Sequence, residues 1–91
     1  MTTDSEIYTL NTSTPTLIAS GGTISGEAVE VHLQNYSTID IYIGGSNVTS
    51  ADGIKFVSSD SIWGPIKLRA GAFLYAIAAS GTPAIRVLKE V

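Results

Sequence analysis

The side chain best suited to acid–base chemistry in this chain is His32, the one histidine of the sequence. Histidine changes charge near neutral pH, and catalysis would need it beside a partner group in a cleft. Here it alternates with Glu30 and Gln34 on the polar side of a regular run, which favours a solvated or cross-strand-paired histidine. A Ser-His-Asp arrangement would lack the Gly-x-Ser-x-Gly turn that marks a nucleophile. The residues therefore predict a protein that is not an enzyme.

Metal and phosphate sites are weakly represented. The absence of cysteine excludes thiolate metal sites, and one histidine cannot form a histidine cluster. Asp52-Gly53 and Ser58–Ser61 could supply oxygen ligands to calcium, but both are typical turn sequences. The pairs Gly21-Gly22 and Gly44-Gly45 lack the following Lys-Ser/Thr of a phosphate loop and are also predicted as turns. We expect no metal centre and no cofactor.

Aromatic residues are the remaining candidates for a binding surface. Tyr42 points away from a face of isoleucines, and Trp63 is predicted in a loop before Gly64-Pro65. These two are candidates for contacts outside the domain, because aromatic side chains are frequent anchors of protein interfaces. The alternative is a platform on which sugar rings stack, together with other tyrosines of the chain, Tyr8, Tyr36 and Tyr75.

The composition narrows the classes of partner. Of the 91 residues, 44% are hydrophobic and only 14% are charged, which fits one small domain that buries surface against partners. The net charge of −3 disfavours nucleic-acid binding, because phosphate backbones attract basic surfaces. The most apolar stretch, Ala70–Ile85, is shorter than the roughly 20 residues of a membrane helix, and no secretory signal is visible. We expect no nucleic acid, no membrane and no secretion.

The elements that position these residues show the period-two alternation of β-strands. Two runs, Ala28–Gln34 and Ile39–Ile43, place aliphatic residues on one side and are predicted to form an antiparallel hairpin. Phe73–Ala79 is predicted as a central strand buried on both sides. Further runs are Ile54–Val57, Ile66–Arg69 and Ala84–Val91. Seven to eight short strands predict an all-β fold, a small antiparallel β-sandwich or barrel, formed by residues 21–91 as a single domain.

Residues 1–20 differ from the rest because they are rich in Ser and Thr. We predict an extended N-terminal arm whose pieces Ile7–Leu10 and Thr16–Ala19 add to a sheet edge. The alternative is a first edge strand of the same domain. Apolar anchors of the arm join the two aromatic residues as interface candidates, and the complete set is Ile7, Tyr8, Leu10, Tyr42 and Trp63.

About two thirds of the chain, from Val31 onward, resembles small virion proteins of tailed bacteriophages, most closely capsid decoration or cement proteins. The motifs that carry this resemblance are Ile41–Thr49, Asp52–Ile54, Ile66–Gly71, Leu74–Gly81 and Val87-Leu88. The resemblance implies a homotrimer that binds the major capsid protein on the outside of the head and is made in the host cytoplasm. The same pattern is similar to tail and baseplate modules, so a fibre module that binds a receptor or carbohydrate is the alternative.

Overall fold

Eight antiparallel strands in two sheets form the fold, in a computed structural model that describes residues 3–21, 28–35, 37–57 and 61–90. The strands are β1 (Thr3–Thr9), β2 (Thr16–Ser20), β3 (Ala28–Asn35), β4 (Ile41–Gly44), β5 (Ile54–Phe56), β6 (Ser61–Arg69), β7 (Phe73–Ala78) and β8 (Ala84–Glu90). The predicted all-β sandwich is confirmed.

The strand order shows how the chain is wound. Sheet A has the order β1-β8-β3-β6 and sheet B the order β2-β7-β4-β5. β1 pairs with β8, β2 with β7, β3 with β6 and β4 with β5, so the pairs are nested from the two ends of the chain to its middle. The chain is therefore one long hairpin wrapped into two sheets, which is the wiring of a jelly roll.

The predicted hairpin between the strands now named β3 and β4 is wrong. They lie in different sheets, β3 beside β8 and β6, and β4 beside β7 and β5. Both strands nevertheless point their aliphatic side chains into the shared core, as the alternation predicts. A sequence pattern that identifies the buried side of two strands is satisfied equally by a hairpin and by two strands that face each other across a core.

The link that carries the chain from β3 to β4 is held by the buried side chain of Asn35. Its Nδ2 lies 2.9 Å from the carbonyl oxygen of Ile39 and 3.1 Å from those of Phe56 and Val57, while its Oδ1 accepts the hydroxyl of Ser37 at 2.8 Å. Because an amide NH₂ has two hydrogens, these three carbonyl groups share them. Asn35 thus joins a strand of sheet A to both ends of the β4–β5 hairpin of sheet B.

The core lies between the sheets, and among the described residues it is apolar apart from Asn35 at its margin. The alternation predicted for three strands is confirmed, because the inward residues are buried. These residues are Val29, Val31 and Leu33 in β3, Ile41 and Ile43 in β4, and Ile85 and Val87 in β8. Full burial of a side chain of this size stabilises the fold by about 1.5–3 kcal/mol.

β7 is a central strand, as predicted, between β2 and β4. It is buried on both sides over Ala76–Ala78, whereas Phe73 at its beginning is exposed. The turn before it contains Gly71, whose φ of 83° is a conformation that glycine adopts without strain. Ala70-Gly71 therefore ends the preceding strand, as the sequence predicts.

The N-terminal segment is part of both sheets. β1 pairs with β8 along its whole length, and β2 pairs with β7 with one register shift between Leu17 and Ala19. This is the arrangement of the edge-strand alternative. Leu10, between the two strands, is buried in the core, and its N–H donates to the carbonyl of Pro83 at 2.8 Å.

Some predictions concern residues outside the described ranges. Tyr36 lies there, as do Gly22 and Ser58–Asp60 of the predicted turns. The prediction that Trp63 lies in a loop can be tested and is wrong, because Trp63 is inside β6. The strand begins before Gly64-Pro65 rather than after it.

Candidate interaction surfaces

The outer side of sheet B carries an apolar patch, which we call the aromatic face. It follows from alternation in β7, where Leu74, Ala76 and Ala78 turn inward and every other residue turns outward. Cross-strand partners on β2 and β4 extend the outward row. The aromatic face consists of Leu17, Tyr42, Phe73, Tyr75 and Ile77.

This face has almost no charge and is exposed at two of its five residues, whereas Ile77 is buried. Phe73 is 57% exposed and Leu17 is 43% exposed. Lys55 is the one charged residue in the four strands of sheet B. Its Nζ lies 3.4 Å from Oδ2 of Asp40. A partner surface could cover the aromatic face with little cost for desolvating charges.

The outer side of sheet A forms a groove instead. One row of cross-strand neighbours spans all four strands, from Ile7 on β1 through Arg86 and Gln34 to Ile62 on β6. Ile7 is 62% exposed and Ile62 is 73% exposed, so two apolar rims enclose a polar middle. The volume of the groove is about 670 Å³, within the range of roughly 300–1,000 Å³ of small-molecule sites.

His32 lines this groove and lies opposite Leu88 of β8. Its Nδ1 is buried and has no hydrogen-bond partner among the residues that the structure describes. A Cβ atom placed on Gly64 would lie 3.0 Å from Cα and Cδ2 of His32, so the β6 backbone passes directly beside the ring. Among the described residues, no carboxylate accepts a hydrogen bond from Nδ1 of the kind that orients a catalytic histidine.

The five predicted interface residues are divided between surface and core. Ile7 is on the groove and Tyr42 is on the aromatic face, on opposite sides of the sandwich. Leu10 is buried, and Trp63 packs against the core, its ring edge-on to that of Phe56 with centroids 5.9 Å apart. Leu10 is therefore not available at the surface, whereas Trp63 is partly buried.

Tyr8 occupies an intermediate position at the margin of sheet A. Its ring packs against the core, and its hydroxyl group donates a hydrogen bond to the carboxylate of Glu6. Burial, followed by this hydrogen bond and the carboxylate charge, raises the pKa of Tyr8 to about 12. The carboxylate also pairs with Lys89, whose Nζ lies 3.8 Å from Oε1 of Glu6.

Several exposed apolar residues were not predicted as interface candidates. They include Ile62 on the groove and Leu17 and Phe73 on the aromatic face. A signal for the aromatic face was present in the alternation of Phe73, Tyr75 and Ile77 opposite the small inward alanines. Interpreting the whole run as buried on both sides obscured it.

The Asp52 segment is a turn, as predicted. Oδ1 of Asp52 accepts the backbone N–H of Thr49 at 2.8 Å and its hydroxyl at 3.0 Å. The hydrogen bond from the Thr49 backbone holds the pKa of the Asp52 carboxyl below its usual value.

Among the described residues, no three His, Cys, Asp or Glu side chains are grouped as a metal site. That same part of the chain has no helix with the length and apolarity to cross a membrane.

Comparison with known proteins returned no family model, no curated protein and no solved structure that matches this chain.

Proposed function

We propose that this chain is a non-enzymatic structural protein of a bacteriophage virion, made in the host cytoplasm. It decorates the outside of the head as a homotrimer, binds the major capsid protein and stabilises the shell. The observation that carries the proposal is the aromatic face, a nearly uncharged surface of a small domain on which Phe73 and Leu17 are exposed. The sequence resemblance to decoration proteins supplies the identity of the partner.

The aromatic face suits binding to a repetitive shell. Exposed apolar patches of this kind on small proteins commonly mark surfaces that bind other proteins. Its few side chains cover less area than the roughly 800 Å² per partner of a standard stable interface. A weak individual contact becomes effective when several linked copies bind an ordered lattice together, because later contacts are then intramolecular. The proposed trimer supplies these linked copies, because it presents three aromatic faces to the shell.

The fold is compatible with this proposal and does not select it. Jelly rolls occur in viral capsid proteins and also in lectins. Because one fold hosts many functions, the surface of the domain rather than its strand order distinguishes these functions.

The test is binding to phage heads that lack their decoration protein. We expect the wild-type chain to co-sediment with such heads, to appear on their outer surface in electron micrographs and to raise their dissociation temperature. Phe73→Lys puts a charge at the most exposed residue of the aromatic face and should weaken binding at least tenfold. Ile62→Lys is the matched control, since Ile62 is even more exposed but lies on the opposite sheet.

Two results would contradict the proposal. One is the absence of wild-type binding to undecorated heads. The other is an equal loss of binding by Phe73→Lys and Ile62→Lys, which would show that binding does not depend on the aromatic face.

A second function, a tail or fibre module that binds a receptor or carbohydrate, is favoured by the groove. Its volume suits a small ligand, and Gln34, Arg86 and Ser5 supply hydrogen-bonding groups. Tyr42 lies on the outer side of sheet B and Trp63 packs against the core from sheet A, so these two aromatic residues do not form one platform. Binding of host envelope polysaccharide that Gln34→Ala removes and Phe73→Lys preserves would establish this function instead.

A further inference from the structure

The four edge strands of the sandwich differ in how they resist pairing with another chain. An edge strand exposes unpaired backbone groups, and proteins protect such edges with short strands, bulges, prolines or lysines. β5 has three residues, β2 has a register shift at Leu17/Ala19, and β6 contains Pro65, which has no N–H to donate.

β1 has seven residues with no proline, lysine or arginine, and its register with β8 is continuous. Its two charged residues are acidic, and one of them, Glu6, lies on the inner side of the sheet in register with Val87, where it pairs with Lys89. Ile7 in its second half is 62% exposed. Among the described strands, β1 is therefore the edge most open to a further strand.

The sequence of β1 is complementary to itself about Ile7. When two antiparallel copies are related by a two-fold axis at this residue, Glu6 of each copy lies opposite Tyr8 of the other. Ser5 likewise lies opposite Thr9, and the two isoleucines meet at the axis. Directly opposite residues share a face of a sheet, so each row joins groups that interact favourably: a carboxylate with a phenol, two hydroxyl groups, and two apolar side chains.

We propose that the free chain dimerises through β1, which pairs antiparallel with β1 of a second copy about Ile7. The two A sheets become one eight-stranded sheet, and the two grooves lie side by side across the axis. The contact is isologous, since the same strand is used by both copies. It involves sheet A alone and does not depend on the proposed binding of the aromatic face to a shell.

The charges at this edge are compatible with the pairing. Each Glu6 is accompanied by its own Lys89, which offsets the repulsion between the two carboxylates. The phenol of Tyr8 keeps its proton at neutral pH, since its pKa is about 12, and it remains a donor for either carboxylate. The alternative partner strand in a second copy, β6, is less suited to pairing, because Pro65 has no N–H to donate.

The test is the mass of the full-length protein by sedimentation equilibrium from micromolar to millimolar concentration. We expect even multiples of the 9.5 kDa chain: a dimer, or a hexamer where the trimer also forms. Ile7→Glu places two carboxylates opposite each other at the axis, where they repel, and each also lies beside Arg86 of its own chain. This variant should raise the dimer dissociation constant at least tenfold. Ile62→Glu, on the other edge strand of the same face, should leave it unchanged.

Mixing two variants gives a second measurement. Ile7→Glu and Ile7→Lys should each dissociate alone and should associate with each other, because the introduced charges then attract. A monomer or a lone trimer for the wild type, or no association of the mixed variants, would overturn the proposal. Binding of Ile7→Glu to undecorated heads separates the two proposals, because this variant retains the aromatic face.

Discussion

The two outer faces of the sandwich are built by the same rule and differ in character. The strands of sheet A contain eight charged residues and those of sheet B contain one. Sheet A surrounds a groove with polar groups at its centre, whereas sheet B exposes Phe73 and Leu17 and has two half-buried tyrosines on the same side. The inner faces of both sheets are mainly apolar, and Glu6 and Lys89 pair at the edge of the inner face of sheet A.

The difference indicates that the two outer faces are suited to different kinds of binding. A face with one charge loses little hydration when another protein covers it, so sheet B is suited to broad contact. A face with many charges is stable in water and offers directional groups, so sheet A is suited to solvent, to a small ligand or to pairing at its edge. Burial of the core requires only the inner faces, which leaves the outer faces free to serve binding.

The largest effect is expected from placing a charge on the inner side of β4, compared with the same charge on its outer side. Ile41→Asp places an unpaired carboxylate in the core, at a cost of several kcal/mol. This is comparable to the whole stability of a small domain, about 5–15 kcal/mol. The neighbouring change Tyr42→Asp lies on the aromatic face opposite Lys55 and should cost about 1 kcal/mol. Urea unfolding followed by circular dichroism measures both, and a cooperatively folded Ile41→Asp variant would refute the assignment of inner and outer sides.

An intermediate effect is expected where the two sheets are tied together. Asn35→Ala removes the amide that bonds carbonyl groups of Ile39, Phe56 and Val57, and buried carbonyls without donors should reduce the free energy of unfolding by about 2–4 kcal/mol. Asn47→Ala, at an exposed asparagine, should change it by less than about 0.5 kcal/mol. Thermal denaturation of the pair measures the difference, and equal midpoints would show that the tie is unimportant.

The smallest effect is expected at the margin of sheet A, in alkaline solution. The folded-state pKa of Tyr8 is raised to about 12 from its ordinary value of 10.0. A raised pKa contributes stability that is fully present below pH 10 and is lost as pH rises through about 12. Tyr8→Phe should therefore show a shallower loss of stability than the wild type in this window, measured by urea unfolding at several pH values. Parallel pH profiles for the two proteins would exclude this role for Tyr8.

Much of the local structure could be predicted from the sequence. The alternation in Ala28–Gln34 and Ile39–Ile43 identified both the strands and their buried sides, because side-chain direction in a strand has a period of two residues. The turns at Gly71 and Asp52 were predictable from residue chemistry. Two of the surface candidates could also be named from the sequence. Tyr42 points away from the isoleucines of its strand, and Ile7 is an apolar residue in a segment rich in Ser and Thr.

The sequence by itself determined the all-β class, the inward sides of the regular strands and the small number of charges left for the surface. The tertiary structure decided which strands are neighbours: β3 and β4 lie in opposite sheets, Trp63 packs against Phe56, and the first strand pairs with the last. Alternation is a local property that each strand displays alone. Strand pairing joins residues far apart in the chain, and it depends on how all eight strands together close one core, which no single segment encodes.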